Sequence, residues 1–312
     1  MPVFNIHHVT RYQYDRPVKE SVNEIRIYPF ACREQEVLFH ELNISDNPEV
    51  LQVTDYWGNR CGHFNRLAAH QELTIESKLT VRTLGMPPLQ YAGTPEELFR
   101  EKKQNLLLVE LSQLQEPRLR QQLKEMAQQF YHPDIPVTTL AENCNRFIYE
   151  EFKYIKGITS TETTVAEILD HRAGVCQDFA HLMLALLRSL GIPCRYASGY
   201  ICPNKNGMRG EGATHAWVEV WLPGAGWRGI DPTNNAWVDS HHVKLAIGRH
   251  FRDCSPVKGT FKGPAGQSLS VFVSVGYEDG HVFEELNNVS METVESNTDE
   301  APAIPYTIDQ QQ

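Results

Sequence analysis

The spacing of apolar residues changes character between Gly85 and Thr94, and that change limits what the chain can build. Before it, segments such as VFNIHHVTRYQY, NEIRIYPF, VLFHELNIS and LTIESKLTVRTL alternate with a period near two and carry β-branched residues, the pattern of half-buried strands. Turn residues separate them at Asp15-Arg16-Pro17, Asn47-Pro48 and Asp55-Tyr56-Trp57-Gly58-Asn59. These segments predict a small antiparallel β-sandwich or barrel over 1–88. The intervening GMPPLQYAGT is rich in Pro and Gly, as a domain connection should be. After it, Pro95 to Leu114, Pro117 to Tyr131 and Thr139 to Phe152 space their apolar residues by threes and fours, which predicts helices. Thr94 before Pro95 makes a cap followed by a first-turn proline.

A second domain is expected over 89–283, and its informative helix follows Gly174-Val175-Cys176. The run QDFAHLMLALLRSLG ends at Gly191 and Pro193, so it carries both a start and a stop signal. Arg188 near its end complements the helix dipole. Strands follow in CRYASGYIC, THAWVEVWL and GWRGID. The last segment, 284–312, is acidic and shows little periodicity; disorder is expected there.

The net charge of -10 leaves no basic surplus to neutralise phosphates, which argues against a nucleic-acid partner. No run approaches the ~18 apolar residues of a membrane span, and the start MPVFNIHHVTRYQY has no leader pattern. A cytoplasmic location is therefore expected. The seven cysteines are odd in number and scattered, and read as reduced thiols, not a disulfide framework.

A thiol becomes nucleophilic when its pKa falls, and a helix amino terminus lowers it through unpaired N–H groups. Cys176 stands at such a terminus, where the same N–H groups can hold an oxyanion. The bland alternative is a small buried hydrophobe. His215 opens the alternating strand HAWVEVWL, and Asp231 ends the next, with Pro223-Gly224-Ala225-Gly226 between them. In a hairpin, paired residue numbers have a constant sum. His215 and Asp231 share a face when that sum is even, as when Trp221 opposes Trp227. In that register Asp231 steers the imidazole of His215 and His215 acts as base toward Cys176. The alternative for Asp231 is an ordinary turn before Pro232.

GVCQDFAHL, THAWVEVWLPGAGW and GIDPTNN resemble the transglutaminase-like superfamily, whose Cys, His and Asp fall in order on Cys176, His215 and Asp231. The stretch from VTRYQYDRPV through DYWGN looks like the amino-terminal region of its bacterial branch. The resemblance spans nearly the whole chain except the tail. It implies an α+β papain-like core, a helix bearing the cysteine packed on an antiparallel sheet bearing His and Asp, and cysteine protease or amidase chemistry on a peptide or isopeptide bond through a thioester. Relatives also include protein cross-linkers and members without activity, so an amine acyltransferase and a binding scaffold stand as alternatives. Animal members use an upstream tryptophan for the oxyanion. No Trp lies between Trp57 and Trp217, which leaves Tyr154, Gln177 or the backbone for that role. Trp217 either covers the sheet or walls the acyl groove.

No cofactor is expected. Cys176, His181, Cys194, Cys202 and His215 match no paired ligand spacing, the doublets His7-His8 and His241-His242 are isolated, and no acidic calcium sites stand out. His181, five positions after Cys176, is rotated away from it on the helix and reads as a core histidine. Asp178 suits the first helical turn without catalysis.

Overall fold

The computed structural model describes residues 1–86, 93–132, 134–202, 208–210, 214–277 and 282–291, the last five by their backbone alone. Six strands come first: β1 (Val3–Val18), β2 (Glu20–Ile25), β3 (Gln35–Ile44), β4 (Leu51–Thr54), β5 (Arg60–Arg66) and β6 (His70–Thr83). A mostly helical stretch follows, with α1 (Pro95–Gln104), α2 (Leu106–Leu111), α3 (Arg120–Gln128), α4 (Val137–Glu151), the short β7 (Lys153–Tyr154), α5 (Val165–His171), β8 (Ala173–Gly174) and α6 (Cys176–Ser189). The chain then forms β9 (Cys194–Ile201), β10 (Thr214–Leu222), β11 (Gly226–Asp231), β12 (Ala236–Trp237), β13 (His242–Gly248), α7 (Phe251–Cys254), β14 (Val257–Lys262), β15 (Gln267–Tyr277) and β16 (Val282–Met291).

Period-two patterning sets the first sheet. In β1, Phe4, Ile6, Tyr12 and Tyr14 are buried while Asn5, Arg11 and Gln13 are exposed. Antiparallel pairing aligns Ile6 with Leu79 of β6 and with Val275 of β15, so the buried residues of three strands share a face. The sheet runs β16-β15-β1-β6-β3, and a second antiparallel sheet runs β14-β2-β5-β4. Phe4, Ile25, Phe64, Phe261 and Val271, drawn from both, lie in one apolar core with Tyr200 and Val243 of the central sheet.

The sequence expectation of a division at 283 and a disordered tail from 284 is corrected here. β14 pairs with β2, β15 with β1, and β16 with β15. The first sheets are therefore completed by strands that come last in the chain, and 284–291 belong to β16. Residues 292–312 lie outside the described residues, as do 87–92, where the expected connection falls.

The central sheet, β12-β11-β10-β9-β13, is antiparallel throughout. α6 is buried from Cys176 to Arg188. Phe179, Leu182, Met183 and Leu186 pack in a core with Ala216, Val218 and Val220 of β10, Ile230 of β11 and Leu140 and Ile148 of α4. Arg188 does more than answer the dipole. Its guanidinium donates to the carbonyls of Leu111, Cys194 and Arg249 at 3.3, 3.0 and 2.8 Å, anchoring the far end of the helix. The long helix expected from Pro95 to Leu114 is broken at Asn105, whose side chain accepts from the Leu107 N–H at 3.0 Å and starts α2 anew. No helix among the described residues is long and apolar enough to cross a membrane.

Candidate active site

Cys176 is the first residue of α6. The helix start is fixed by Asp178, whose Oδ2 accepts from the Val175 N–H at 2.8 Å and from the Thr159 hydroxyl at 2.7 Å. Burial raises the Asp178 carboxyl pKa, and those two donors offset only part of the rise. Gly174 has a structural reason for lacking a side chain: a Cβ there would stand 2.6 Å from Asp178 Oδ2. The glycine thus makes room for the cap.

Tyr154 arrives through the parallel pair β7–β8, which sets it beside Gly174. The Ile155 N–H donates to the Gly174 carbonyl at 3.0 Å. Burial pushes the Tyr154 phenol well above its usual range, and the charges of Cys176, Glu285 and Asp231 push it further against the opposing Arg209. The hydroxyl therefore stays a protonated donor near the sulfur. Its ring meets Phe179 edge-on at 6.2 Å.

The β10–β11 hairpin adopts the expected register, with Trp221 opposite Trp227. His215 and Asp231 meet: Nε2 of the imidazole lies 2.9 Å from Asp231 Oδ2, and both side chains are fully buried. The carboxylate is held tightly. Its Oδ1 accepts from the Thr233 N–H at 2.9 Å, and its Oδ2 from the Asn234 amide at 2.7 Å. Burial opposes ionisation of Asp231, yet the His215 and His242 rings outweigh it and keep the carboxyl well below its usual range. Burial likewise opposes a charged His215, but Asp231 and then Cys176 overcome it and push the imidazole up to about 10. Nδ1, the nitrogen turned away from Asp231, has no full hydrogen bond of its own. The backbone at Gly210, with φ of 77°, covers the site; a Cβ there would stand 3.4 Å from His215 Nδ1 and 3.7 Å from the Tyr154 hydroxyl.

Gln177 is buried; its amide nitrogen reaches the Thr161 carbonyl at 3.5 Å and its Oε1 has no partner. Trp217 is fully buried with Ala197 and Ile247. Its ring stacks toward that of His215 with centroids 6.4 Å apart, so it braces the imidazole, and it also borders a small cavity shared with Glu219, His242 and Lys244. His181 lies in the core, where its Nε2 accepts from the Phe251 N–H at 3.2 Å and its ring faces His250 at 4.2 Å.

Sequence reasoning set His242 aside as half of an isolated doublet. In the structure its Nε2 lies 3.4 Å from the same Oδ2 of Asp231, and Asp239 lies beside its other nitrogen. Gly199 of β9 stands opposite both His215 and Lys244, where the Trp217 ring and the backbone of β13 close in on it. A side chain there would run into the Val243 carbonyl at 2.0 Å and the Trp217 ring at 2.8 Å. Ligand-capable atoms of His215, Asp231 and His242 lie within 4.8 Å of one another. Both Nε2 atoms are spent on one carboxylate oxygen, which makes a hydrogen-bonded chain, not an open coordination sphere.

The chain thus sets a thiol at a helix tip, with a buried imidazole and carboxylate paired on the neighbouring sheet, and its family follows from comparison with known proteins. Residues 124–232 match the transglutaminase-like superfamily, and residues 4–82 match the bacterial transglutaminase-like N-terminal region. An uncharacterized protein of Mycobacterium leprae is 31% identical over 86% of this chain and 96% of its own length. A protein-glutamine gamma-glutamyltransferase of Pseudomonas aeruginosa is 34% identical over 38% of this chain and 18% of its own length. Among solved structures, one described as a putative cysteine protease from Cytophaga hutchinsonii superimposes with a TM-score of 0.69 at 21% identity, covering 97% of this chain and 96% of that one. The chain belongs to the transglutaminase-like superfamily and has its fold.

Proposed function

We propose that the protein is a cysteine-dependent amidase or peptidase that works through a thioester on Cys176. The observation that carries this reading is the fully buried His215–Asp231 pair, 2.9 Å apart, with Cys176 as the first residue of α6 and its charge acting on the imidazole. An imidazolium beside a sulfur at a helix amino terminus favours the thiolate. The thiolate attacks the carbonyl carbon of a peptide or isopeptide bond, and the oxyanion accepts hydrogen bonds from the first backbone N–H groups of α6 and from Tyr154, with Gln177 the second side-chain candidate. Collapse breaks the C–N bond while His215 gives its proton to the departing amine. Water then attacks the thioester, His215 takes its proton, and the acid leaves as the thiolate returns. Asp231 keeps the imidazole oriented throughout.

Transfer to an amine in place of water needs the same groups and is the second reading, favoured by the local similarity to the Pseudomonas aeruginosa glutamyltransferase. Incubating the protein with a peptide and γ-glutamyl amide library separates the two, because hydrolysis releases ammonia or amine without an acceptor and transfer requires one. Cys176→Ala abolishes thioester trapping and turnover in either case while the chain remains folded. Undiminished turnover in that variant ends the proposal and leaves a binding protein that has kept the fold.

A further inference from the structure

We propose that His242 and Asp239 are positioning residues for this site, extending His215 and Asp231 into a hydrogen-bonded chain that surfaces at Asp239, and that charge at His242 favours the Cys176 thiolate. The inference rests on the thioester reading above and deepens it, since it names what regulates the same imidazole.

The geometry has two parts. On one side, His242 Nε2 lies 3.4 Å from Asp231 Oδ2, the oxygen that also takes His215. On the other, His242 Nδ1 lies 3.3 Å from Asp239 Oδ1 and 3.4 Å from the Asp239 backbone N–H. A charged ring donates from Nδ1 to the carboxylate, and a neutral ring accepts at Nδ1 from the N–H. His242 thus keeps a partner on each nitrogen in either charge state, which a ring locked in one tautomer does not. The side chain of His242 is fully buried, whereas that of Asp239 is 53% exposed. Asp239 is therefore the member of the chain nearest solvent.

The surroundings of His242 come from several elements. His215 of β10 lies 6.1 Å away between ring centroids, and Trp217 meets the ring edge-on at 5.4 Å. Beyond them a cavity of about 20 Å³ is bordered by His242, Asp239, Trp217, Glu219, Lys244, Cys32 and Glu34. Glu219 is paired with both Lys244 and Arg195, and Glu34 lies 3.9 Å from Lys244, so two cations face two anions and their charges largely offset. His241 leans on Asp239 at 3.1 Å. The anions nearest His242 are therefore Asp231 and Asp239. Burial opposes its charge, and these two carboxylates raise its pKa regardless, with His215 the opposing cation.

A positive His242 behind Asp231 adds to the potential that holds the sulfur as thiolate and limits how far Asp231 captures the His215 proton. His242→Gln keeps an N–H for Asp231 and removes the charge. Iodoacetamide labelling of Cys176 in the full chain, followed peptide by peptide across pH, reads the thiolate directly and needs no substrate. The wild-type protein labels well below the ordinary thiol range near 8.5. In His242→Gln that edge moves up by about half a pH unit, and in Asp239→Asn by less in the same direction, with thermal melting within a few degrees of wild type. Edges that superimpose on wild type in both folded variants overturn the inference and leave the thioester reading standing. A wild-type protein with no low-pH labelling of Cys176 overturns both.

Discussion

On one face of the central sheet, Ala216, Val218, Val220 and Ile230 lie against α6 in an apolar core. On the other, Glu219 is paired with Arg195 and Lys244, Asp231 with His215 and His242, and Trp217 meets the His242 ring. Both faces exclude water, but they are held differently. The apolar face gains from area removed from water, about 25 cal/mol per Å², and tolerates imperfect neighbours. The charged face is stable only while each charge keeps its partner. His215, second residue of β10, is where they meet: it is bonded to Asp231 of the charged face and coupled to Cys176, which stands on the helix covering the apolar one.

The largest break in this contrast is expected at Asp231. Asp231→Ala leaves His215 without its orienting anion and lowers kcat of the proposed amidase by about 10⁴-fold, as removal of the equivalent role does in such triads; steady-state kinetics on the substrate found by library screening checks it. Next comes Glu219→Gln, which strands the Arg195 and Lys244 cations and costs about 3 kcal/mol in denaturant unfolding. The sign with pH follows from the same group. Burial resists ionisation of Glu219, but Lys244 and Arg195 hold its pKa down to about 2. A carboxyl depressed in the folded state contributes stability above its ordinary range near 4.5 and loses it as pH falls toward 2. The wild-type chain should therefore weaken over that window, and Glu219→Gln should weaken less steeply; parallel acid melts of the two proteins would refute the assignment. The smallest effect is expected on the apolar face, where Ile230→Val costs about 1 kcal/mol and leaves the pH dependence unchanged.

The same contrast explains what the sequence disclosed. Period-two spacing gave away β1 and β6, and the parity of Trp221 and Trp227 gave away the hairpin register, because both are local. The helix start at Cys176 was legible for the same reason. Helix α5 was missed although Thr164 and Glu167 form a capping box, with Glu167 N–H donating to the Thr164 hydroxyl at 3.3 Å; the T-x-x-E spacing was the available signal. The return of β14 and β15 to β2 and β1 has no such local mark, since pairs such as Phe4 with Tyr277 join the two ends of the chain. His242 is hidden for a related reason. Its strand, β13, is three places from β11 in the sheet, so the contact of the ring with Asp231 has no local mark in the sequence.

The ribosome releases β1 and β2 first and their partners β15 and β14 only after the stretch that carries Cys176 has been made. Until the final strands emerge, the newborn chain carries open strand edges that invite wrong pairing. A protein truncated before Val257 would be caught permanently at that stage, with Cys176 synthesised but the scaffold beneath it never closed.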